Sequence, residues 1–355
     1  TRWDLPLISL EETLDYMQGV MDRLVDRLGT ISHDTLASEV DSFIYQFGVF
    51  HEDMHTEAFL WARQTLAYPT PKLVVAEDVA AERAAGPWPG YVEIPGGMFR
   101  MGAEKDAPFL FDNEKYAHDV TVAPFAIARA PVTNAEFAEF VAADGYANDA
   151  YWCDVGKAWR NMRGIDHPGY WVKNGRNRWR MRRFEHDIVL PENEPVIHVS
   201  WYEASAYCRW AGERLPTELE WEVAALGTLA ADGSLAATKR PYPWGHTPPT
   251  PNCANLDARA LGSIDVGALP DGDSAFGCRQ MLGNVWEWTA DTFQPFPDFA
   301  PDSYQEYSKG LFGNTKVLRG GAWTTRGRMM HGTYRNYFSP DRWNVFSGFR
   351  TCRAV

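Results

Sequence analysis

Two histidines four residues apart, His51 and His55, stand inside the stretch 43–66, FIYQFGVFHEDMHTEAFLWARQTL. On a helix that spacing puts both imidazoles on one face about one turn apart, where a single metal ion can take both. Phe43, Ile44, Phe47, Phe50, Met54, Ala58, Phe59 and Ala62 recur at helical intervals and Pro69 lies just past the end, so a buried helix is expected to present the pair. The bland alternative is a pair of helix histidines satisfied by hydrogen bonds.

The run His51-Glu52-Asp53-Met54-His55 also satisfies HExxH, in which two His bind zinc and the Glu is the general base of a peptidase. That chemistry needs a third ligand. The extended pattern asks for Gly at 58 and His at 61, where the chain has Ala58 and Trp61, and Glu77 lies beyond Pro69 and Pro71, which interrupt the helix. A zinc metallopeptidase is therefore the alternative reading.

The elements that would position such a site follow from the rest of the chain. Its 355 residues suit two domains. A formal charge of −13 argues against a nucleic-acid or anionic-membrane partner, and the one basic run, 176–183, reads as a solvated hairpin or loop. No apolar segment reaches the length of a membrane span and no signal peptide opens the chain, so a cytoplasmic protein is expected. Five scattered cysteines without CxxC spacing suggest buried thiols, not a disulfide framework or zinc ribbon. Fifteen Trp with 29 Gly and 23 Pro suit a loop-rich domain held by aromatic packing.

Apolar residues at 10, 14, 17, 20, 21, 24, 25 and 28 mark an amphipathic helix, opened by Ser9 with Glu12 as a capping box. Two helices do not enclose a metal site, so further helices of a bundle are implied. A linker follows at 76–90. From Tyr91 the texture changes: 91–102 reads as two short strands joined by a glycine turn and 120–127 as another strand. Helices are expected at 133–141, 201–210 and 218–225, the first capped by Thr133 with Glu136 and the third opened by Thr217. Closing strands are expected around 317–321 and 346–353, with little regular structure before them.

The ordered runs PGGMFRMG (95–102), PVTN (131–134), PVIHVSW (195–201), RLPTELEWE (214–222), GNVWEW (283–288), LRGGAW (318–323) and GFR (348–350) resemble the formylglycine-generating-enzyme domain. The resemblance implies a C-type-lectin-like α+β fold. Those enzymes use a pair of cysteines near the C-terminus, and 332–343 holds none, so that activity is not implied. An HxxxH helix in a DinB-like bundle before such a domain instead resembles the ergothioneine-type sulfoxide synthases and their selenoneine-forming relatives. The fold class expected is thus α+β multidomain: a DinB-like bundle at 1–75, a linker at 76–90 and a lectin-like domain at 91–355.

That resemblance implies iron(II) bound by three histidines, dioxygen as co-substrate, and a chalcogen joined to the imidazole of hercynine or histidine. His51 and His55 are then two ligands; the third is expected before residue 1, His33 being a poor substitute. Three neutral imidazoles leave half of an iron's coordination sphere open to the reactants. In SYQEYS (303–308), Tyr304 matches the family's proton donor and Tyr307 a residue that positions hercynine; aromatic packing is the other meaning of both. In RNYFSPDR (335–342), Asn336 matches a contact to the trimethylammonium group, Tyr337 offers it an aromatic face, and Arg342 matches a carboxylate binder. Phe338 stands where enzymes using γ-glutamylcysteine place an acid, and Met54 replaces a polar residue. Both favour cysteine or, ahead of it, an uncharged selenosugar as donor. Arg2 could hold the hercynine carboxylate as a fork. Asn255, Asp257, Asp271, Asp273 and Asn284 stand in loops where related domains sometimes hold calcium; turn chemistry accounts for them equally well. A non-catalytic binding module of the same fold is the remaining alternative.

Overall fold

The computed structural model describes residues 4, 6–30, 39–73, 84–107, 109–175 and 178–355. By contacts the chain divides into two compact units, 1–50 and 51–355. In the first, α1 (Leu10–Thr30) opens on the expected capping box. Ser9 Oγ accepts from the Glu12 N–H at 3.2 Å, and Glu12 Oε2 accepts from the Ser9 N–H at 2.8 Å. The helix α2 (Glu39–Thr65) contains both histidines.

The second unit continues with β1 (Tyr91–Ile94), β2 (Gly97–Met101), β3 (His118–Val122), β4 (Phe125–Ala128), α3 (Asn134–Ala142), α4 (Asp154–Arg163), β5 (Trp171–Lys173), β6 (Trp179–Arg183), β7 (His186–Val189), α5 (Trp201–Trp210) and α6 (Glu218–Leu226). It ends with β8 (Trp286–Thr292), β9 (Lys316–Arg319), β10 (Asn336–Phe338), β11 (Ser347–Gly348) and β12 (Cys352–Ala354). The three expected helices start at full capping boxes, Thr133 with Glu136, Ser200 with Glu203 and Thr217 with Glu220.

Among the described residues the strands form four small sheets, ordered β1-β4-β12, β10-β9-β8-β11, β2-β3 and β5-β6-β7. All pairings are antiparallel except β11 with β8, where Ser347 faces Trp286. Four expectations change. The strands at 91–94 and 97–101 are present but do not pair with each other; β1 joins β4 and β2 joins β3. They part at Gly96, where a Cβ would stand 2.7 Å from the Val122 carbonyl oxygen, so the backbones come too close for a side chain. The expected single strand at 120–127 is two, split at Ala123-Pro124, because proline has no N–H for a ladder. Residues 179–183 of the basic run form β6 of a three-stranded meander, and β8 and β10 supply regular structure where little was expected.

Four tryptophans, Trp221, Trp286, Trp288 and Trp323, are fully buried in the second unit. So are Arg319, Arg335 and Arg350, and buried charge is tolerated only when paired. Arg350 forks onto Glu287 at 2.6 and 2.7 Å, Arg319 bonds Glu218 at 2.8 Å and Glu222 at 3.0 Å, and Arg335 forks onto Glu218 at 2.6 and 2.9 Å. Burial alone would raise the Glu222 carboxyl, but Lys239 and Arg319 overcome it and bring it down to about 2. Glu287 on β8 and Arg319 on β9 tie this polar core into that sheet.

Candidate metal and substrate site

The site is built from α2 downward. Between 51 and 65 the buried positions are Asp53, Glu57, Leu60 and Gln64, a stripe at helical spacing. Arg328 forks onto Asp53 at 2.8 Å through both Nε and Nη2. The Trp286 indole donates to Glu57 Oε1 at 2.7 Å and the Thr325 hydroxyl to Glu57 Oε2 at 2.6 Å. Gln64 accepts from the Phe184 N–H at 2.6 Å and donates to the Arg182 carbonyl at 2.9 Å. Arg182 in turn caps the carbonyls of Gln64 and Thr65, groups a helix end leaves without partners.

This arrangement corrects the expectation of a helix buried on its apolar face. Phe59 is 68% exposed and Ala62 is also exposed, while two carboxylates and an amide make the docking face. The opposing surface offers N–H, O–H and guanidinium donors, and a buried carboxylate that meets donors is satisfied where a buried phenyl ring would strand them. The signal that could have found this face was the spacing of Asp53, Glu57 and Gln64. Burial pushes the Glu57 carboxyl up, with the bonds from Thr325 and Trp286 opposing.

Beside that stripe the rings of His51 and His55 lie edge to face, their centroids 4.7 Å apart. Burial, reinforced by His55 and opposed by Glu52, lowers the His51 pKa, so its ring is neutral near pH 7 with a lone pair to give. Two imidazoles one helical turn apart fit iron or zinc as part of a ligand set. No group of three or more His, Cys, Asp or Glu able to hold a metal occurs among the described residues. His33, Glu77 and Arg2 lie outside them.

Tyr304 stands just before a 3-10 turn (Gln305–Tyr307), its ring centroid 5.8 Å from that of His51 and its side 39% exposed. Tyr307 turns the other way. It stacks on Phe111 at 5.0 Å and its hydroxyl is 3.5 Å from that of Tyr334; burial, with Tyr334 next, pushes its pKa well up. On β10, alternation sends Tyr337 to the side opposite Asn336 and Phe338. Tyr337 stacks on Phe293 at 4.2 Å and donates to the Tyr307 carbonyl, so it braces the tyrosine turn from beneath. Asn336 Oδ1 accepts from the Tyr337 N–H at 2.8 Å.

Phe338 meets Trp61 edge to face at 5.4 Å, and the Arg342 guanidinium lies over both rings, 5.8 Å from Trp61 and 5.7 Å from Phe338. Trp61 was not singled out from sequence. It is six residues beyond His55, about 9 Å along the helix at 1.5 Å per residue, and Met54 on the same helix is half-buried. Burial lowers the Arg342 pKa with Asp341 opposing, and its buried Nε has no hydrogen-bond partner among the described residues. The structure therefore brings His51, His55 and Tyr304 into one group and Trp61, Phe338 and Arg342 into another.

Four of the loop residues considered for calcium, Asn255, Asp257, Asp273 and Asn284, have protein partners. Asn284 Oδ1 accepts from the Ile264 N–H at 2.9 Å and the Asn255 amide at 3.0 Å, Asp273 is forked by Arg279 at 2.8 Å, and Asp257 accepts from the Gly327 N–H at 3.0 Å. All five cysteines are free.

Residues 76–355 match the sulfatase-modifying factor enzyme 1-like domain. The chain is 39% identical over 352 residues to the hercynine oxygenase of Mycobacterium tuberculosis, covering 99% of this chain and 79% of that protein. The chain belongs to the hercynine oxygenase family. That family is one of oxygen-dependent oxidoreductases, which sets the zinc peptidase reading aside. The formylglycine-generating enzyme of Streptomyces coelicolor is a more distant relative of this hercynine oxygenase family member, 34% identical over 74% of the chain and 88% of that enzyme. The structure of PvdO from Pseudomonas aeruginosa, 23% identical with a TM-score of 0.50, covers 75% of this chain and 94% of that one and shows the shared C-type-lectin-like fold. No helix among the described residues is long and apolar enough to cross a membrane.

Proposed function

We propose that this chain is an iron(II)- and dioxygen-dependent synthase that forms a carbon–selenium or carbon–sulfur bond on the imidazole of hercynine. The observation that carries the reading is the His51 ring lying against Tyr304, a ligand-type imidazole beside a proton-bearing phenol from a distant part of the chain. The name of the mycobacterial relatives supplies the acceptor. Residues 1–75 belong, on this reading, to a DinB-like bundle, joined by a linker at 76–90 to the lectin-like domain at 91–355.

Iron(II), held by His51 and His55 with at least one further donor, would supply the electron that activates dioxygen beside the bound chalcogen. In the balanced reaction the ring C–H and the donor S–H or Se–H hydrogens leave as water with one oxygen atom. The second oxygen remains on the chalcogen. Tyr304 holds a proton at its Oη within the group formed with His51 and delivers it as the reaction's general acid. Tyr307 and Tyr337 set the position of that phenol from beneath, Asn336 meets the trimethylammonium end of hercynine, and Arg2 holds its carboxylate.

The donor meets Met54, Phe338 and Arg342. Two apolar side chains give the ammonium of an amino-acid thiol no anionic partner, and the Arg342 Nε–H offers a bond to an acceptor oxygen. The apolar pair favours an uncharged selenosugar over cysteine or γ-glutamylcysteine, and the Arg342 Nε–H serves a hydroxyl or ring oxygen of such a donor. The test is to incubate the iron-loaded chain with hercynine or histidine against each donor, with and without air, and to identify products by mass. Turnover without oxygen would overturn the reading, as would zinc in place of iron in the active protein.

A further inference from the structure

The turn that carries Tyr304 and Tyr307 ends at Ser308, whose side chain is fully buried. Below it lies a second 3-10 turn, Asp112–Glu114, and all three of its polar side chains are buried too. Polar side chains are rarely placed so deep unless they hold something. The Ser308 hydroxyl donates to Asp112 Oδ1 at 2.5 Å and accepts from the Asn113 amide at 3.0 Å. The first distance is that of a charge-assisted O–H···O⁻ bond, about twice as strong as a neutral one. Asn113 is itself fixed, since Arg335 donates to its carbonyl at 2.6 Å. Glu114 is held by His331 at 2.6 Å and Thr333 at 2.9 Å, so the lower turn is anchored to the polar core.

The upper turn is attached as well by the Tyr337 hydroxyl on the carbonyl of Tyr307 and by the stacking of the Tyr307 ring on Phe111. We propose that Asp112, acting through Ser308, is the positioning residue that holds the Tyr304–Tyr307 turn against the ring of His51. The role assigned to Tyr304 rests on the function proposed above; the latch between the two turns does not.

The latch carries its own pH dependence. Burial pushes the Asp112 carboxyl up to about 6, the Ser308 bond opposes this, and Asp302 adds to it. The groups facing Asp112 are Asp302 and Lys115, paired with each other at 2.5 Å, and the Tyr337 hydroxyl; Glu114 beside it is taken up by His331. As pH falls through about 6 the carboxylate becomes a carboxylic acid, the charge-assisted bond is lost and the turn loosens.

Hydrogen exchange on the full iron-loaded chain tests this directly. The amides of Tyr307 and Leu311, bonded to the carbonyls of Tyr304 and Ser308, report the turn, and those of β8 report that the fold is intact. Asp112→Asn and Ser308→Ala should each speed exchange at 307–311 about tenfold at pH 7.5 with β8 unchanged. In the parent protein the same segment should loosen between pH 7.5 and 5.5, after correction for intrinsic exchange, and in Asp112→Asn it should not. The coupling rate should show an acid limb near pH 6 that Asp112→Asn removes, with kcat reduced more than KM. Unaltered protection at 307–311 in both variants at both pH values overturns the proposal. Absence of hercynine coupling in the parent protein would remove the proposed function and leave the exchange result to decide the latch.

Discussion

The contact between Tyr304 and His51 is the one on which the proposed chemistry depends, and the two proposed roles separate by mutation. Tyr304→Phe keeps the ring against His51 but removes the proton, so coupling should fall by about 10²–10⁴-fold, the usual worth of a general acid, with substrate KM nearly unchanged. A coupling rate equal to that of the parent protein would show that the phenol is only packing. His51→Ala leaves His55 alone on that helical turn, so bound iron, read by elemental analysis after desalting, should drop to a small fraction. Retention of a full equivalent of iron would move the centre elsewhere. Tyr307 and Tyr337, named from the same resemblance, differ from Tyr304 in burial: one phenol faces outward and the other two brace it.

At the scale of elements, α2 is held to β8 and the 322–328 loop by polar side chains, with Glu57 as the central acceptor. Glu57→Leu strands the Trp286 indole N–H and the Thr325 hydroxyl, and each unsatisfied buried donor costs about 1–3 kcal/mol. Glu57→Gln keeps an acceptor for Trp286 and an amide for Thr325, so it should lose much less. Urea midpoints at neutral pH measure the difference; equal losses would show that the cavity, not the hydrogen bonds, sets the cost. Because His51 and His55 ride on the same helix, the Leu variant should also weaken iron binding.

For the whole molecule, buried titratable groups set the response to acid. His198 lies buried between Tyr170 and Phe346, and burial, with Arg182 and Arg183 adding, brings its pKa down to about 3. The folded state thus resists protonation that the unfolded state accepts below about 6.5. Its stability is present above that pH and is lost as pH falls towards 3, by up to roughly 4–5 kcal/mol at about 1.4 kcal/mol per tenfold in protonation. Glu222, held at about 2 by Lys239 and Arg319 against its burial, adds a second loss of roughly 3 kcal/mol as pH falls from about 4.5. Asp112, raised to about 6, works in the opposite sense between its unfolded value and 6 and offsets part of the first loss. Thermal midpoints should therefore fall in two stages, and His198→Gln should flatten the first while leaving the second. A single stage below pH 4 in both proteins would refute the assignment.

Local rules that need only neighbouring residues were legible in the chain: the capping boxes at Ser9 and Thr133, the helix start at Thr217, the HxxxH pair, and the ordered motifs that mark the lectin-like domain. Each depends on contacts within a helical turn or on a run long enough to be distinctive. Which side of α2 faces inward, why β1 and β2 part company, and how Trp61 comes to Phe338 were decided only by the tertiary structure. Apolar periodicity assigns burial by hydrophobicity alone, whereas Asp53, Glu57 and Gln64 are buried because donors brought from 184, 286, 325 and 328 await them. Hydrogen bonds between segments so far apart leave no periodic trace in the sequence of either one.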